Sequence, residues 1–274
     1  MILRTATLFT LISLSCLFGQ SEERETPAWM KNITRIPPGE YADLRAVHLE
    51  YTLGWNNKVN AGRFKISINR TKSKNEKFVG EATGGSTGFA RALWPYDFRA
   101  RSVIDTESLR PITFQLSERE KDQANSYDII FEEKRQIYNT RTQKDGEEMK
   151  SGMSRFRFDY GQDVLSAAFY LRSQPLKVGD EIAMVVTPFN KPYLSYFKVI
   201  GREKRKIKGK THNTIKLDAK IAKINGDRTI KSYDKIKEAT LWIEDDNYRL
   251  PLELQTDITI GFVSARLDEK KWLE

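Results

Sequence analysis

AVHLEYTLGW, residues 46–55, places Val47, Leu49, Tyr51, Leu53 and Trp55 at alternate positions. A strand points successive side chains to opposite faces, whereas a helix repeats its apolar residues at three and four. The stretch therefore predicts a half-buried β-strand. Asn56, Asn57 and Lys58 follow, and asparagine tolerates the left-handed backbone of a tight turn. Phe64, Ile66 and Ile68 then alternate again, so 46–70 is expected to form a hairpin.

The same period recurs outward from this hairpin. Ile112, Phe114 and Leu116 alternate, as do Tyr127, Ile129 and Phe131, then Ile182, Met184 and Val186. Tyr193, Phe197 and Val199 share a face around Ser195, and Ile215, Leu217, Ala219 and Ile221 share another. Leu250, Leu252 and Leu254 continue the pattern, followed by Ile258, Ile260 and Phe262. About a dozen strands with short polar turns predict a mainly β protein: a single antiparallel, strongly curved sheet or open barrel. Two short helices interrupt it. STGFARALWP, residues 86–95, ends at Pro95. DVLSAAFYLRSQP, residues 163–175, has Asp163 as its cap, Val164, Ala167, Ala168 and Leu171 at helical spacing, and Pro175 as its stop.

No linker breaks this grammar, so one β domain is expected over 46–268, with a tail at 269–274. Residues 22–45, with Pro27, Pro37, Pro38 and Gly39, read as a linker. Residues 1–21 read as a signal peptide: Arg4 precedes an apolar run, LFTLISLSCLF at 8–18, too short to span a bilayer. Export to the periplasm or cell envelope is the expectation, with no membrane span left after cleavage. Cys16 is the only cysteine, so cleavage beyond it removes disulfides and thiolate chemistry. Acylation of Cys16 as a lipoprotein is the alternative, and Ser13-Leu14-Ser15 matches a lipobox poorly. The net charge is +9. For an exported chain that favours anionic lipid, a lipoprotein or another envelope component over nucleic acid as partner. REKRKIKGK, residues 202–210, is the densest basic run and reads as a solvated hairpin whose lysines protect an edge.

Candidate chemistry is sparse. GGSTG, residues 84–88, matches a nucleophile elbow around Ser86, but that elbow belongs to parallel α/β sheets. His48 and His212 are the only histidines and lack metal-ligand spacing, so neither metal nor cofactor is expected. Asp245 and Asp246, in LWIEDDNYRLP at 241–251, stand between two strand patterns. Short polar side chains that bond back to the backbone suit a turn there, with Arg249 placed to bond an Asp across the hairpin. A hydrolase using Ser86 or the Asp245/Asp246 pair is the alternative to a non-enzymatic role.

Four segments carry a family resemblance. They are YTLGWNNKVNAGR at 51–63, ALWPYDFRARSVID at 92–105, DVLSAAFYLRSQPLKVGD at 163–180, and LWIEDDNYRLPLELQTDITIGFVSARL at 241–267. In this order they resemble the bacterial exported family catalogued as domain of unknown function 3108. The resemblance implies a mainly β envelope protein with no established enzymatic role, its sheet curved like those of periplasmic lipoprotein carriers. A lipid- or lipoprotein-binding carrier, or a scaffold, is the function it suggests. The physics agrees, because two short helices cannot cover one long apolar sheet face. The expected binding surface is the concave face beside the 163–174 helix, supplied by Trp55, Phe64, Phe114, Phe131 and Leu252; an interior simply filled by side chains, as in small closed barrels, is the alternative. Phe169, Tyr170 and Leu171 would make that helix a plug or lid.

Overall fold

The computed structural model describes residues 26–72, 75–233, 239–257 and 261–273. The signal-peptide reading of 1–21, Cys16 included, and the strand positions Ile258 and Ile260 lie outside the described residues.

Within the described residues the alternating stretches become strands. The first run is β1 (Val47–Trp55), β2 (Val59–Arg70), β3 (Lys77–Ser86), β4 (Tyr96–Asp105), β5 (Pro111–Glu120), β6 (Gln123–Phe131), β7 (Gln136–Lys144) and β8 (Lys150–Phe156). The second is β9 (Gly161–Asp163), β10 (Glu181–Thr187), β11 (Tyr193–Ile207), β12 (Lys210–Ile224), β13 (Ile230–Ser232), β14 (Ala239–Glu244), β15 (Pro251–Asp257) and β16 (Phe262–Trp272). The helices are α1 (Ala28–Lys31), α2 (Gly88–Leu93) and α3 (Val164–Ser173). Both expected helices are present, and α1 is a single added turn.

All the strands join one sheet in the order β8-β7-β6-β5-β4-β3-β2-β1-β16-β15-β14-β12-β11-β10-β9, with β13 paired to β12. Each half is a meander of neighbours in sequence. The halves meet where β1 lies antiparallel to β16, Val47 opposite Trp272. The short β9 runs parallel to β10, the one exception to antiparallel pairing among the described residues.

The sheet curls without closing its hydrogen-bond ladder. Side chains bridge the gap instead. The Tyr138 and Thr187 hydroxyls both donate to Gln136 Oε1, at 2.6 and 3.0 Å, and this joins β7 to β10 in the buried interior. Closing a sheet removes its solvent-facing edges, and here polar side chains complete what the backbone leaves open.

The segment expected to be a linker packs onto the sheet, which corrects that reading for residues 29–45. Trp29 and Ile33 are buried, and Trp29 Nε1 donates to the Arg228 carbonyl at 2.9 Å. Thr34 exchanges bonds with Ala183, its N–H on the Ala183 carbonyl and its hydroxyl receiving the Ala183 N–H, both at 2.9 Å. A single irregular strap carries no period, so its anchoring escaped a reading by periodicity. The expected tail is likewise strand as far as Trp272, whose ring lies 4.3 Å from that of Tyr248.

Candidate functional site

α3 lies inside the curl. Its placement starts with Asp163, buried at the helix N-cap. Its carboxylate accepts the N–H groups of Leu165 and Ser166 at 2.7 and 2.9 Å, and the Ser166 hydroxyl accepts the Asp163 N–H. Ser102 of β4 donates to the same carboxylate at 2.5 Å, which ties the helix start to the sheet. Burial pushes the Asp163 carboxyl up to about 6, against the hydrogen bonds that favour its charged form. One helix face then packs on β3. Phe169 stacks on Phe78 with 4.9 Å between rings. Leu165 meets Gly80, where a Cβ would come within 2.9 Å of the leucine Cδ1, so glycine lets the helix sit here without displacing that side chain.

The far end of α3 is fastened by two reciprocal arginines. Arg172 donates through Nη2 to the Tyr248 carbonyl at 2.7 Å and through Nε to that of Arg249 at 3.1 Å. Arg249 donates back to the carbonyls of Gln174 and Pro175. Both arginines are buried. Four carbonyls, two just beyond the last turn of the helix and two in a turn, gain donors in this way. This corrects the expected role of Arg249, whose side chain bonds the chain after α3 rather than an Asp.

The other face of α3 looks across a cavity of about 520 Å³. Val164, Ala167, Ala168, Leu171 and Arg172 form its helical wall, and strands β10–β12 and β14–β16 form much of the rest. The physical origin of the space is alanine. Ala167, Ala168, Ala219, Ala239 and Ala265 all border it, so an apolar face is present but its side chains are too short to meet. The cavity has an open and a closed end. At the open end Val164, Phe189 and Leu254 are 42%, 37% and 43% exposed. At the closed end Tyr51, Leu171, Arg172 and Ile243 are all buried.

Of the five aromatic and aliphatic residues expected on the binding face, only Phe64 borders this cavity, its ring stacked 4.6 Å from Tyr51. Phe114 and Leu252 are filled core, and Phe131 packs against the same cluster as Phe114. Trp55 sits beside the β1–β2 turn and is largely exposed. The face was read as uniform, whereas the strands from β4 to β7 fill their interior with their own side chains. Arg172 and Tyr51 were missed as cavity residues. Arg172 falls four residues after Ala168, on the helical stripe already visible in the sequence.

The residues of the hydrolase alternative are occupied separately. Ser86 Oγ accepts the Tyr96 N–H at 3.0 Å and faces that residue's carbonyl, and neither histidine bonds to it. His48 bonds Ser67 and Glu50, and His212 bonds Glu244. Asp246 accepts the N–H groups of Tyr248 and Arg249 at 2.9 and 2.8 Å, a turn closed on its own side chain. Asp245 pairs with Arg202 at 3.0 Å. The basic run is partly paired too, since Arg205 reaches Glu253 at 2.9 Å and covers the Trp242 ring. Among the described residues no cluster of three or more His, Cys, Asp or Glu side chains could hold a metal ion. None of their helices is long and apolar enough to cross a membrane.

Comparison with known proteins agrees with this architecture. The model of the family described as protein of unknown function (DUF3108) matches residues 50–268, and the chain belongs to that family. No curated protein matches. Among solved structures, a β-barrel-like protein of domain of unknown function DUF1849 from Brucella abortus is similar at 8% identity and a TM-score of 0.55. The match covers 85% of this chain and 100% of that one. A protein from Bacteroides fragilis inferred to be exported, with a YmcC-like fold, aligns at 7% identity over 85% and 99% of the two chains, with a TM-score of 0.36. A protein from Parabacteroides distasonis inferred to be a lipoprotein aligns at 7% over 86% and 100%, with a TM-score of 0.34. At these identities the likeness concerns the fold alone, and only the first is close enough to support that.

Proposed function

We propose that this member of the DUF3108 family is a non-enzymatic protein of the cell envelope that carries an apolar small molecule, with α3 as a fixed internal plug. The observation that carries this reading is the cavity between α3 and β10–β16, about 520 Å³ and lined mainly by apolar side chains. That size lies within the range of small-molecule pockets. Apolar surface facing water costs about 25 cal/mol per Å², so an apolar occupant stabilises the fold by displacing that water. Export rests on the apolar run at 8–18 behind Arg4.

The test is native mass spectrometry and lipid extraction of the protein purified from its own envelope. A stoichiometric apolar molecule is expected. Ala219→Phe, which fills the cavity from β12, should lose that molecule while keeping or raising Tm. Purified protein that holds no lipid, together with an experimental structure whose interior is filled by side chains, would falsify the carrier and leave a scaffold.

A further inference from the structure

The closed end of the cavity has a charge with no counter-charge. Arg172 is 3% exposed, yet no carboxylate of the described residues lies within ion-pair distance of it. Its Nε and Nη2 are spent on the carbonyls of Tyr248 and Arg249. No hydrogen bond involves its Nη1 among the described residues. The ring of Phe169 lies 5.6 Å from the guanidinium and supplies no anion. Burial lowers the Arg172 pKa to about 10, against the more distant charges of Tyr51, Asp246 and Asp43, so it stays cationic at neutral pH. A buried cation without an anion is costly, and structures hold one where a ligand supplies the missing charge or where carbonyls alone must be satisfied.

The surroundings of Arg172 decide between these. Carbonyls account for two of its three nitrogens. The third belongs to a side chain that forms part of the cavity wall. Around it Tyr51, Leu171 and Ile243 are buried, and the Tyr51 hydroxyl is already committed to the Pro251 carbonyl at 2.8 Å. One donor among buried apolar side chains suits a small head with one or two acceptor oxygens, not a bulky phosphodiester. The walls from there to the exposed Leu254, Phe189 and Val164 are mainly apolar, and the one carboxylate among them, Glu253, is paired with Arg205 at 2.9 Å.

We propose that the ligand is a single-chain carboxylate, a long-chain fatty acid, bound head inward with its carboxylate against Arg172 and its chain running out between α3 and β10–β15. This rests on the carrier reading and sharpens it. The acyl chains of a lipoprotein are esters and amides, and they carry no such head. An arginine without a counter-charge therefore favours the free acid.

The experiment compares hexadecanoic acid, hexadecanol and methyl hexadecanoate on delipidated wild-type protein by isothermal titration. The acid is expected to bind at least about tenfold more tightly than the alcohol or ester, because a charge-assisted hydrogen bond exceeds a neutral one. In Arg172→Gln that advantage of acid over alcohol should disappear, and Arg172→Lys should restore part of it. Ala219→Phe should lose the acid. Equal binding of all three by the wild type overturns the inward carboxylate and leaves the carrier standing. Binding of none overturns the carrier itself. Acid binding that survives Ala219→Phe places the acid elsewhere on the surface and also overturns the proposal. The wild-type comparison reads out even where an Arg172 variant does not fold.

Discussion

α2 and α3 are both short helices entered directly from a strand, and they end in opposite environments. α2 buries no side chain: Phe89 and Leu93 are 73% and 65% exposed, and its cap, Thr87, makes no side-chain capping bond. α3 buries most of its residues and is capped reciprocally by Asp163 and Ser166. The difference lies less in the helices than in the strands before them. β3 delivers α2 to the rim of the sheet, whereas β9 turns α3 into the curl, where Gly80 leaves it room. A helix signal in sequence states that a helix forms. What receives it is set by glycines, caps and latches on other strands.

The hardest break of this contrast is Phe169→Ala against Phe89→Ala. The first removes a fully buried ring stacked on Phe78 and should cost about 3–5 kcal/mol. The second should stay within about 0.5 kcal/mol. Urea unfolding of the two variants measures both, and a similar cost for each would show that α3 is not the internal plug. Gly80→Val comes next. Its side chain meets Leu165, and overpacking should cost about 1–3 kcal/mol, read as a fall in Tm.

A third measurement concerns pH. The Asp163 carboxyl is held up to about 6 by burial, from an ordinary value of 3.8. The stability linked to its protonated form is complete below 3.8 and is lost as pH rises through about 6. Relative to Asp163→Asn, the wild type should therefore lose up to about 3 kcal/mol between pH 3.5 and pH 7. Unfolding midpoints of both proteins at the two pH values check it, and a constant difference would mean that the carboxyl ionises freely inside. The smallest expected effect is Leu93→Ser on α2, within about 0.5 kcal/mol. A larger loss of Tm would indicate that something covers the exposed α2 face.

Period two carried most of the fold. The 46–70 hairpin, strands β5, β6, β10, β11, β12, β14 and β15, and the helices α2 and α3 were legible because alternation, Asn turns and Pro stops are local signals. The curl was legible only as an argument about coverage. The cavity was half legible: its neighbourhood beside α3 followed from the excess of apolar face, but its outline depends on alanines at facing positions of β12, β14 and β16. That Ala219 pairs with Ala239, and Ala265 with Leu254, is known only from the register. Hence Phe114 and Leu252, the larger side chains, drew attention although they fill space rather than border it. The strap at 29–45 was invisible for a related reason, since Trp29 and Thr34 act singly.

The junction of β1 with β16 has a consequence for how the chain comes to be made. Within each meander a strand finds its partner a few residues away, so the β1–β8 half can assemble as soon as it is synthesised. β1 then waits. Its outward N–H and C=O groups stay unpaired until the last strand arrives, because Val47 bonds beside Trp272 and nothing earlier takes that place. Such an edge recruits any extended segment within reach, including the same edge of another nascent chain. Contacts this distant in sequence also form slowly. A partly finished copy is therefore the adhesive form of this molecule, and a holding chaperone that masks β1 until β16 arrives would raise its yield.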